Sequence, residues 1–143
     1  MLQRIQSVYL LLAALAAGLL YVLPAAQTAV EAEASYLFSD TQFTLSDDVI
    51  LLVCFGLAAL LWGMGIFLFR NRQLQVKLST LALLLVVGGS AYGVYLFTQD
   101  AAQARAAIAA GVGLPLVSIL FGWLANRSIK YDERLVKSAD RLR

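Results

Sequence analysis

The stretch VILLVCFGLAALLWGMGIFLF, from Val49 to Phe69, decides the fold class of this chain. It contains no Asp, Glu, Lys or Arg. At a helical rise of about 1.5 Å per residue, its length covers the roughly 30 Å hydrocarbon core of a bilayer. The stretch therefore predicts a transmembrane α-helix.

Three further apolar stretches have a similar length, at residues 5–24, 76–97 and 106–125. Their apolar residues are continuous rather than alternating, which favours helices over the strands of a membrane barrel. We expect one domain over residues 1–143, an all-α integral membrane protein built as a four-transmembrane-helix bundle. An outer loop over 25–48 and a cytoplasmic C-terminal amphipathic helix over 126–143 complete the predicted architecture.

The composition agrees with a membrane protein. Of the 143 residues, 61% are hydrophobic and 14% are charged, whereas soluble domains carry roughly 25% charged residues. This balance excludes a water-soluble enzyme, a disordered tail and a nucleic-acid reader, so no nucleic acid is expected as a partner. The first stretch also resembles a signal peptide, with Arg4 before it and small residues at 25–29, but its apolar run is long and we expect an uncleaved anchor.

The distribution of Lys and Arg predicts the orientation. With four spans, ten of the eleven basic residues lie on the side that holds both termini and the loop at 70–75, and only Arg105 lies on the other side. Six of the nine acidic residues lie on the side of Arg105. Because basic residues are retained on the cytoplasmic side, both termini are expected in the cytoplasm.

Several residues mark the expected ends of helices. Ser46, Asp47 and Asp48 precede the second stretch, and their side chains can accept hydrogen bonds from the free N–H groups of a first turn. Arg70 and Arg72 are expected to close the second helix, where a cation suits the negative end of the helix dipole.

The two prolines give contrasting expectations. Pro24 lies where the first helix should stop. Pro115 lies well inside the fourth stretch, where it should remove a backbone bond to the carbonyl of Gly111 and kink the helix. A kink of this kind can mark a binding site in transporters, although no charged residue accompanies it here.

Pairs of small residues four apart favour close contacts between helices. Such pairs fit a contact inside the bundle, which we favour, or the seam of a homo-oligomer. They are Gly89 and Gly93, Ala59 and Gly63, and Ser118 and Gly122.

Two segments outside the stretches could carry a function. In the outer loop, residues 36–38 and 41–45 could form a short hairpin over the bundle. In the tail, basic residues spaced three and four apart form a cationic stripe on a helix, and an apolar stripe lies beside it. The cationic stripe comprises Arg127, Lys130, Arg134, Lys137 and Arg141, and the apolar one Tyr131, Leu135, Ala139 and Leu142.

The tail has more than one interpretation. It could be a solvated topology signal, or an amphipathic helix that lies on anionic lipid or docks on another protein. We expect it to bend to the membrane plane just after Asn126 or to pack on protein. Gln3, Arg4 and Gln6 are expected to form a polar cluster with it, in which Arg4 pairs with Asp132 or Glu133.

The sequence offers little for catalysis. It contains no His and one cysteine, Cys54, so neither a metal cluster nor a usual base for a nucleophile is available. No ionisable side chain is expected at depth within the four apolar stretches. We therefore expect no catalytic residue, no metal and no cofactor.

Both ends of the chain resemble one bacterial membrane-protein family. The start MLQRIQSVYLLL at residues 1–12 is similar to the opening of a family known as a domain of unknown function, DUF4293. The segments LANRSIK at 124–130 and DERLVKSADRLR at 132–143 are similar to its closing segment. The resemblance implies a protein of the bacterial cytoplasmic membrane and implies no activity.

These observations favour an interaction protein, namely an accessory or scaffolding subunit of an inner-membrane assembly. Its expected partners are the lipid bilayer, with anionic lipids, and other membrane subunits. The alternatives are a small transporter or channel for an uncharged or lipid-like ligand, and an enzyme acting at the membrane surface. The residues expected to carry the interaction are Gln3, Arg4, Gln6, Arg127, Lys130, Arg134, Leu135, Lys137, Arg141 and Leu142.

Overall fold

The computed structural model contains four α-helices covered at one end by a small cap. It describes residues 2–29 and 35–140, and the side chains of residues 5–29 and 35–135. The helices are α1 (Leu2–Leu19), α2 (Val49–Phe67), α3 (Arg72–Gln99) and α4 (Leu114–Asp140). Helix α1 packs on α2 and α4, and α3 packs on the same two helices, so the four form a ring in sequence order.

Among the described residues, three apolar helical segments are long enough to cross a membrane, namely Val49–Phe67, Arg72–Gln99 and Ala110–Leu135. The apolar helix of α1, Ile5–Leu19, is shorter. The chain leaves this helix in a turn, where the amides of Tyr21 and Val22 donate to the carbonyls of Gly18 and Leu19. The first helix therefore ends five residues before Pro24.

Each helix buries one stripe of side chains at alternating spacings of four and three residues. Such a repeat of about 3.5 residues is typical of helices that cross at a shallow angle in left-handed bundles. Apolar, small and polar residues share the stripes. They comprise Gln6, Leu10, Ala13 and Ala17 in α1, Leu51, Phe55, Ala58, Trp62 and Gly65 in α2, Gln75, Ser79, Ala82, Val86 and Gly89 in α3, and Ser118, Gly122, Ala125, Ile129 and Asp132 in α4.

Three short strands form the centre of the cap. Strand β1 (Ala26–Gln27) pairs antiparallel with β2 (Gln42–Phe43) on one side and with β3 (Ala107–Ile108) on the other. The hairpin expected between residues 36–38 and 41–45 is wrong, because Gln42 and Phe43 pair with β1 instead. Residues 36–41 form turns that bury Leu37 and Phe38, and this packing stabilises a cap whose strands are only two residues long.

The fourth helix begins at Leu114 rather than at residue 106. The amide of Ala109 donates to the carbonyl of Ala25 at 3.0 Å, and that of Gly111 donates to the carbonyl of Pro24 at 2.9 Å. These bonds hold residues 106–113 in the cap, where they form β3 and a 3-10 turn, Ala110–Gly113. Pro115 is then the second residue of α4, where it has no intrahelical bond to lose, so the expected kink is wrong.

The second helix begins as expected and ends differently. The carboxylate of Asp48 accepts from the amides of Ile50 and Leu51 at 2.8 and 3.3 Å, which confirms a carboxylate cap before α2. The expectation that Arg72 closes α2 is wrong, because Arg72 is the first residue of α3 and Asn71 caps that helix. Arg70 lies in the turn between the two helices.

Two of the three small-residue pairs face a neighbouring helix of the same chain. A Cβ atom on Gly89 would lie 3.1 Å from Cβ of Cys54 and from Cε2 of Phe55, and one on Gly93 would lie 3.5 Å from Cδ2 of Leu51. Ser118 donates to the carbonyl of Ala13 at 3.4 Å. Nothing lies within 4 Å of a Cβ atom built on Gly63, so the pair of Ala59 and Gly63 is not explained by packing at Gly63.

Candidate functional site

An apolar cavity of about 410 Å³ lies beneath the cap, between α2, α3 and α4. Five large lining side chains are at most 7% exposed, and we call these buried residues the floor of the cavity. They belong to the turn after α1, to β2 and its following turn, and to the first half of α2, and comprise Leu20, Phe43, Leu45, Leu51 and Phe55. This volume falls within the range of roughly 300–1,000 Å³ that is usual for small-molecule sites.

The cavity opens sideways between α3 and α4. Val94 on α3 is 63% exposed, and Leu116 on α4 is 70% exposed, yet both line the cavity. Ile108 of β3 and Val112 of the turn before α4 are exposed lining residues on the same side. We call these four residues the mouth.

The opening follows from the way the chain approaches α4. A Cβ atom on Gly111 would lie 2.6 Å from the carbonyl oxygens of Leu23 and Pro24, so only glycine permits this contact between the two segments. The contact draws residues 109–111 towards the end of α1.

Among the described residues, the lining offers no polar side chain without a partner. Only two of the described lining residues have polar side chains, Ser90 and Thr44. Ser90 donates to the carbonyl of Val86 at 2.6 Å, and Thr44 Oγ1 accepts from the amide of Ser46 at 3.3 Å and bonds to Asp47. A ligand of this cavity is therefore recognised by apolar contact alone.

Below the cavity, described side chains of the four helices are buried against one another. The lining reaches Phe55, Gly89 and Ile119 and goes no lower on the helices. In the next turns Ala58, Trp62, Ala82 and Val86 are fully buried. The indole N–H of Trp62 donates to Ser79 Oγ at 3.1 Å, which fixes the ring across the centre of the bundle.

A buried carboxylate fastens the cap to the end of α3. Asp100 accepts from Ser35 Oγ at 2.8 Å, from the amide of Leu37 at 3.2 Å and from the amide of Ala102 at 2.8 Å. Burial alone would raise the pKa of Asp100, but these hydrogen bonds together outweigh it and hold the pKa below its usual range. We call Asp100 and its three donors the latch.

The opposite end of the bundle, which we call the base, buries polar side chains. The amide of Gln6 donates to the carboxylate of Asp132, and also to the carbonyl of Ser128 at 3.4 Å. Asp132 is 6% exposed, although it lies in the segment expected as the cytoplasmic tail, beyond the fourth apolar stretch. Arg72 Nη1 donates to the carbonyl of Asp132 at 3.5 Å.

Two further amide side chains lie in the base. Gln75 donates to the carbonyl of Gly65 at 2.9 Å, and Asn126 donates to Thr80 Oγ1 at 3.2 Å. Within the described part of the chain, one oxygen of Gln75, of Asn126 and of Asp132 has no hydrogen-bond donor. The interior of the base is therefore polar, whereas the interior beneath the cap is apolar.

Of the residues expected to carry an interaction, some are buried in the structure, some are exposed, and some lie outside the described residues. Gln6 lies inside the base. The outer face of α4 exposes three cations and two apolar side chains, namely Arg127, Lys130, Tyr131, Arg134 and Leu135. The expected side chains of Gln3, Arg4, Lys137, Arg141 and Leu142 lie outside the described residues.

The tail continues α4 as one helix through Asn126 to Asp140. It does not leave the helical path after Asn126, because Ile129 and Asp132 pack into the bundle. The guanidinium of Arg127 lies 5.5 Å from the ring centroid of Trp123, a cation–π distance.

Sequence reasoning missed Asp100, Gly111 and the inner face of α4. The spacing of Ser118, Gly122, Ala125, Ile129 and Asp132 carries the signal for that face, but the cationic stripe beside it is more conspicuous. For metal chemistry, the described residues contain no group of three or more His, Cys, Asp or Glu that could hold an ion. Cys54 is a free, half-buried thiol that packs beside Gly89.

The chain belongs to the family described as Domain of unknown function (DUF4293), which matches residues 2–142. This match confirms the resemblance seen at both ends of the sequence. Searches of curated proteins and of solved structures gave no match.

Proposed function

We propose that this member of the DUF4293 family is a small non-catalytic accessory or scaffolding subunit of a bacterial inner-membrane assembly. In the proposed topology four helices span the membrane, the base and both termini face the cytoplasm, and the cap faces outward. The distribution of the basic residues supports this orientation. Helix α1, with 18 residues, would reach about 27 Å at 1.5 Å per residue, close to the thickness of the hydrocarbon core.

The exposed outer face of α4 at the base carries the proposal. Its cations and its apolar side chains, Tyr131 and Leu135, stand on a helix whose inner face is packed through Ile129 and Asp132. A helix held in this way presents its side chains in a fixed arrangement, which lowers the entropy lost on docking. A solvated topology signal has no need of the two apolar side chains, so we favour a protein partner.

The test combines mild crosslinking in cells with purification from the native membrane. The variant Lys130→Gln, Arg134→Gln, Leu135→Ser should lose a partner that the unaltered chain retains. The matched control, Arg70→Gln, Lys77→Gln, Leu74→Ser, removes the same kinds of side chain from another exposed surface of the base and should keep the partner.

Recovery of the unaltered chain without any crosslinked partner would contradict the proposal. Equal loss in both triple variants would indicate that only the total positive charge matters, as expected for attraction to anionic lipid.

The cavity supports a second function, transport of a lipid-like ligand. The filled core below the cavity favours neither a channel nor a polar passage through the bundle. Vesicles with a fluorescent phospholipid in one leaflet separate the two functions. A faster exchange between leaflets in the presence of the protein would favour transport, and an unchanged rate would favour the accessory role.

A further inference from the structure

We propose that the cavity beneath the cap holds one hydrocarbon chain of a membrane phospholipid, which enters between α3 and α4. The inference rests on the proposed insertion of the helices in a membrane. It goes beyond an accessory role by assigning a ligand and a binding site.

The walls of the cavity select a hydrocarbon. Of the lining side chains that the structure describes, all except Ser90 and Thr44 are apolar, and the hydroxyls of these two already bond within the chain. A ligand with a polar group in the interior would lose its hydrogen bonds to water and gain none. An acyl chain gives up no hydrogen bond on entry, because the walls are as apolar as the bilayer that it leaves.

The position of the mouth indicates the source of the chain. Val94 and Leu116 belong to two helices that are long and apolar enough to cross a membrane. The mouth is therefore on the lateral surface of the bundle, where the surrounding molecules in a bilayer are phospholipids. An acyl chain can enter there without passing through water.

A cation lies three residues before the mouth residue Ile108 in the sequence, in the segment that joins α3 to the cap. The segment from Asp100 to Ala106 joins the end of α3 to β3. Arg105 lies in this segment, is exposed, and is followed two residues later by β3, whose Ile108 is part of the mouth. It is also the one basic residue of the sequence on the cap side. Its guanidinium fits the phosphate of a lipid whose chain occupies the cavity.

The test uses the full-length protein in phosphatidylcholine vesicles that contain a phospholipid with a photoreactive group on its acyl chain. After irradiation, the labelled residues are mapped by peptide mass spectrometry. We expect label on Phe43, Leu51 and Phe55, which are buried and are out of reach of lipid that only surrounds the bundle.

Two variants of matched chemistry probe the mouth. Val94→Trp with Leu116→Trp places two bulky rings at the mouth and should remove the label from the floor. Val87→Trp with Leu120→Trp places the same rings lower on the same two helices, at exposed positions outside the lining, and should leave the floor labelled. Arg105→Gln should lower the floor label about fivefold, the change expected for loss of one cation at a lipid headgroup.

Three results would overturn the inference. Label on the outer faces of α2 and α3 but not on the floor would contradict lipid binding in the cavity and would still support membrane insertion. Label on the floor that both tryptophan variants reduce equally would also contradict entry of the lipid chain through the mouth. Label on no face of any helix would overturn the membrane insertion, and the pocket with it.

Discussion

The cap end and the base are built from the same four helices and the same spacing of buried residues, yet their interiors are filled in opposite ways. Beneath the cap the interior is apolar and leaves a cavity of about 410 Å³. At the base the interior holds Gln6, Gln75, Asn126 and Asp132. Apolar contacts have no preferred direction, whereas buried polar groups require particular partners at particular distances. The base is therefore the end where the sequence specifies one arrangement of helices.

The difference matters more in a bilayer than in water. Between helices in lipid there is no hydrophobic drive, so association depends on close packing and on hydrogen bonds between helices. The base uses both, through Gly65 beside Leu10 and Gln75 and through the bond from Gln6 to Asp132. The cap end has a close contact between Gly89 and Phe55 together with the latch and the short strands, but its interior leaves a cavity.

The largest difference in the free energy of unfolding is expected between two variants that truncate an aromatic side chain in the buried stripe of α2. Trp62→Ala should lower the free energy of unfolding by about 3–5 kcal/mol, because the ring is fully buried and its loss leaves a new cavity. Phe55→Ala, one heptad earlier, should cost less, because one side of that ring already borders the cavity and makes no contacts there.

Reversible unfolding in mixed detergent measures both changes. Trp123→Ala, which removes a tryptophan that is 51% exposed, controls for the loss of an indole as such. Equal costs for Trp62→Ala and Phe55→Ala would break the comparison between a filled and an open interior.

A smaller effect is expected from the hydrogen bond at the base. Gln6→Leu should cost about 1–3 kcal/mol, because it leaves the buried carboxylate of Asp132 without its side-chain donor. The double variant with Asp132→Leu should be more stable than Gln6→Leu alone, since both polar groups are then removed together. At the cap end Tyr21→Phe removes a hydrogen bond to the carbonyl of Leu52 from a partly exposed side chain, and should cost less.

A double-mutant cycle on the same unfolding measurement gives the coupling between Gln6 and Asp132. Additive effects of the two single variants would show that the bond contributes nothing to the difference between the two ends.

The smallest expected effect is a dependence of the stability of the cap on pH. The pKa of Asp100 is lower in the folded chain than the value of about 3.9 in an unfolded one, so its contribution to stability is complete at neutral pH. It is lost as the pH falls below about 4 and through the folded pKa, because protonation weakens the acceptor of the latch. Hydrogen-exchange protection of the amides of Leu37 and Ala102 should fall in acid after correction for intrinsic rates.

The variant Asp100→Asn should show no such loss between neutral pH and about pH 3. The amide of Ile129 at the base serves as the internal control. A fall of equal size at Ile129, or in the Asp100→Asn variant, would attribute the effect to general acid unfolding.

The helices were predictable from the sequence because runs of apolar residues such as 49–69 have few other folded solutions. The start of α4 was not. Residues 106–113 are as apolar as a helix, and they leave the helical path because the carbonyls of Pro24 and Ala25 accept from Gly111 and Ala109. Partners more than eighty residues away in sequence decide that conformation, and no local pattern contains them.

The sequence also did not predict which face of each helix is buried, for a different reason. In a soluble protein a core face is more apolar than the opposite face, but here Leu60 and Leu84 are exposed while Gln75 and Ser79 are buried. Hydropathy therefore does not distinguish the inside of the bundle from the outside. The cavity depends on how these faces meet, and the sequence alone predicted neither its place nor its lining.

Helix α4 runs without a break from Leu116 at the mouth to the exposed cations of the base. Leu116 and Arg134 are eighteen residues apart, which is about five whole turns at 3.6 residues per turn, so the two side chains have the same azimuth around the axis. Arg127 lies about three turns from Leu116 and is nearly in phase with both. A rigid rotation of α4 about its axis that moved Leu116 at the mouth would therefore turn the side chains of Arg127 and Arg134 through the same angle.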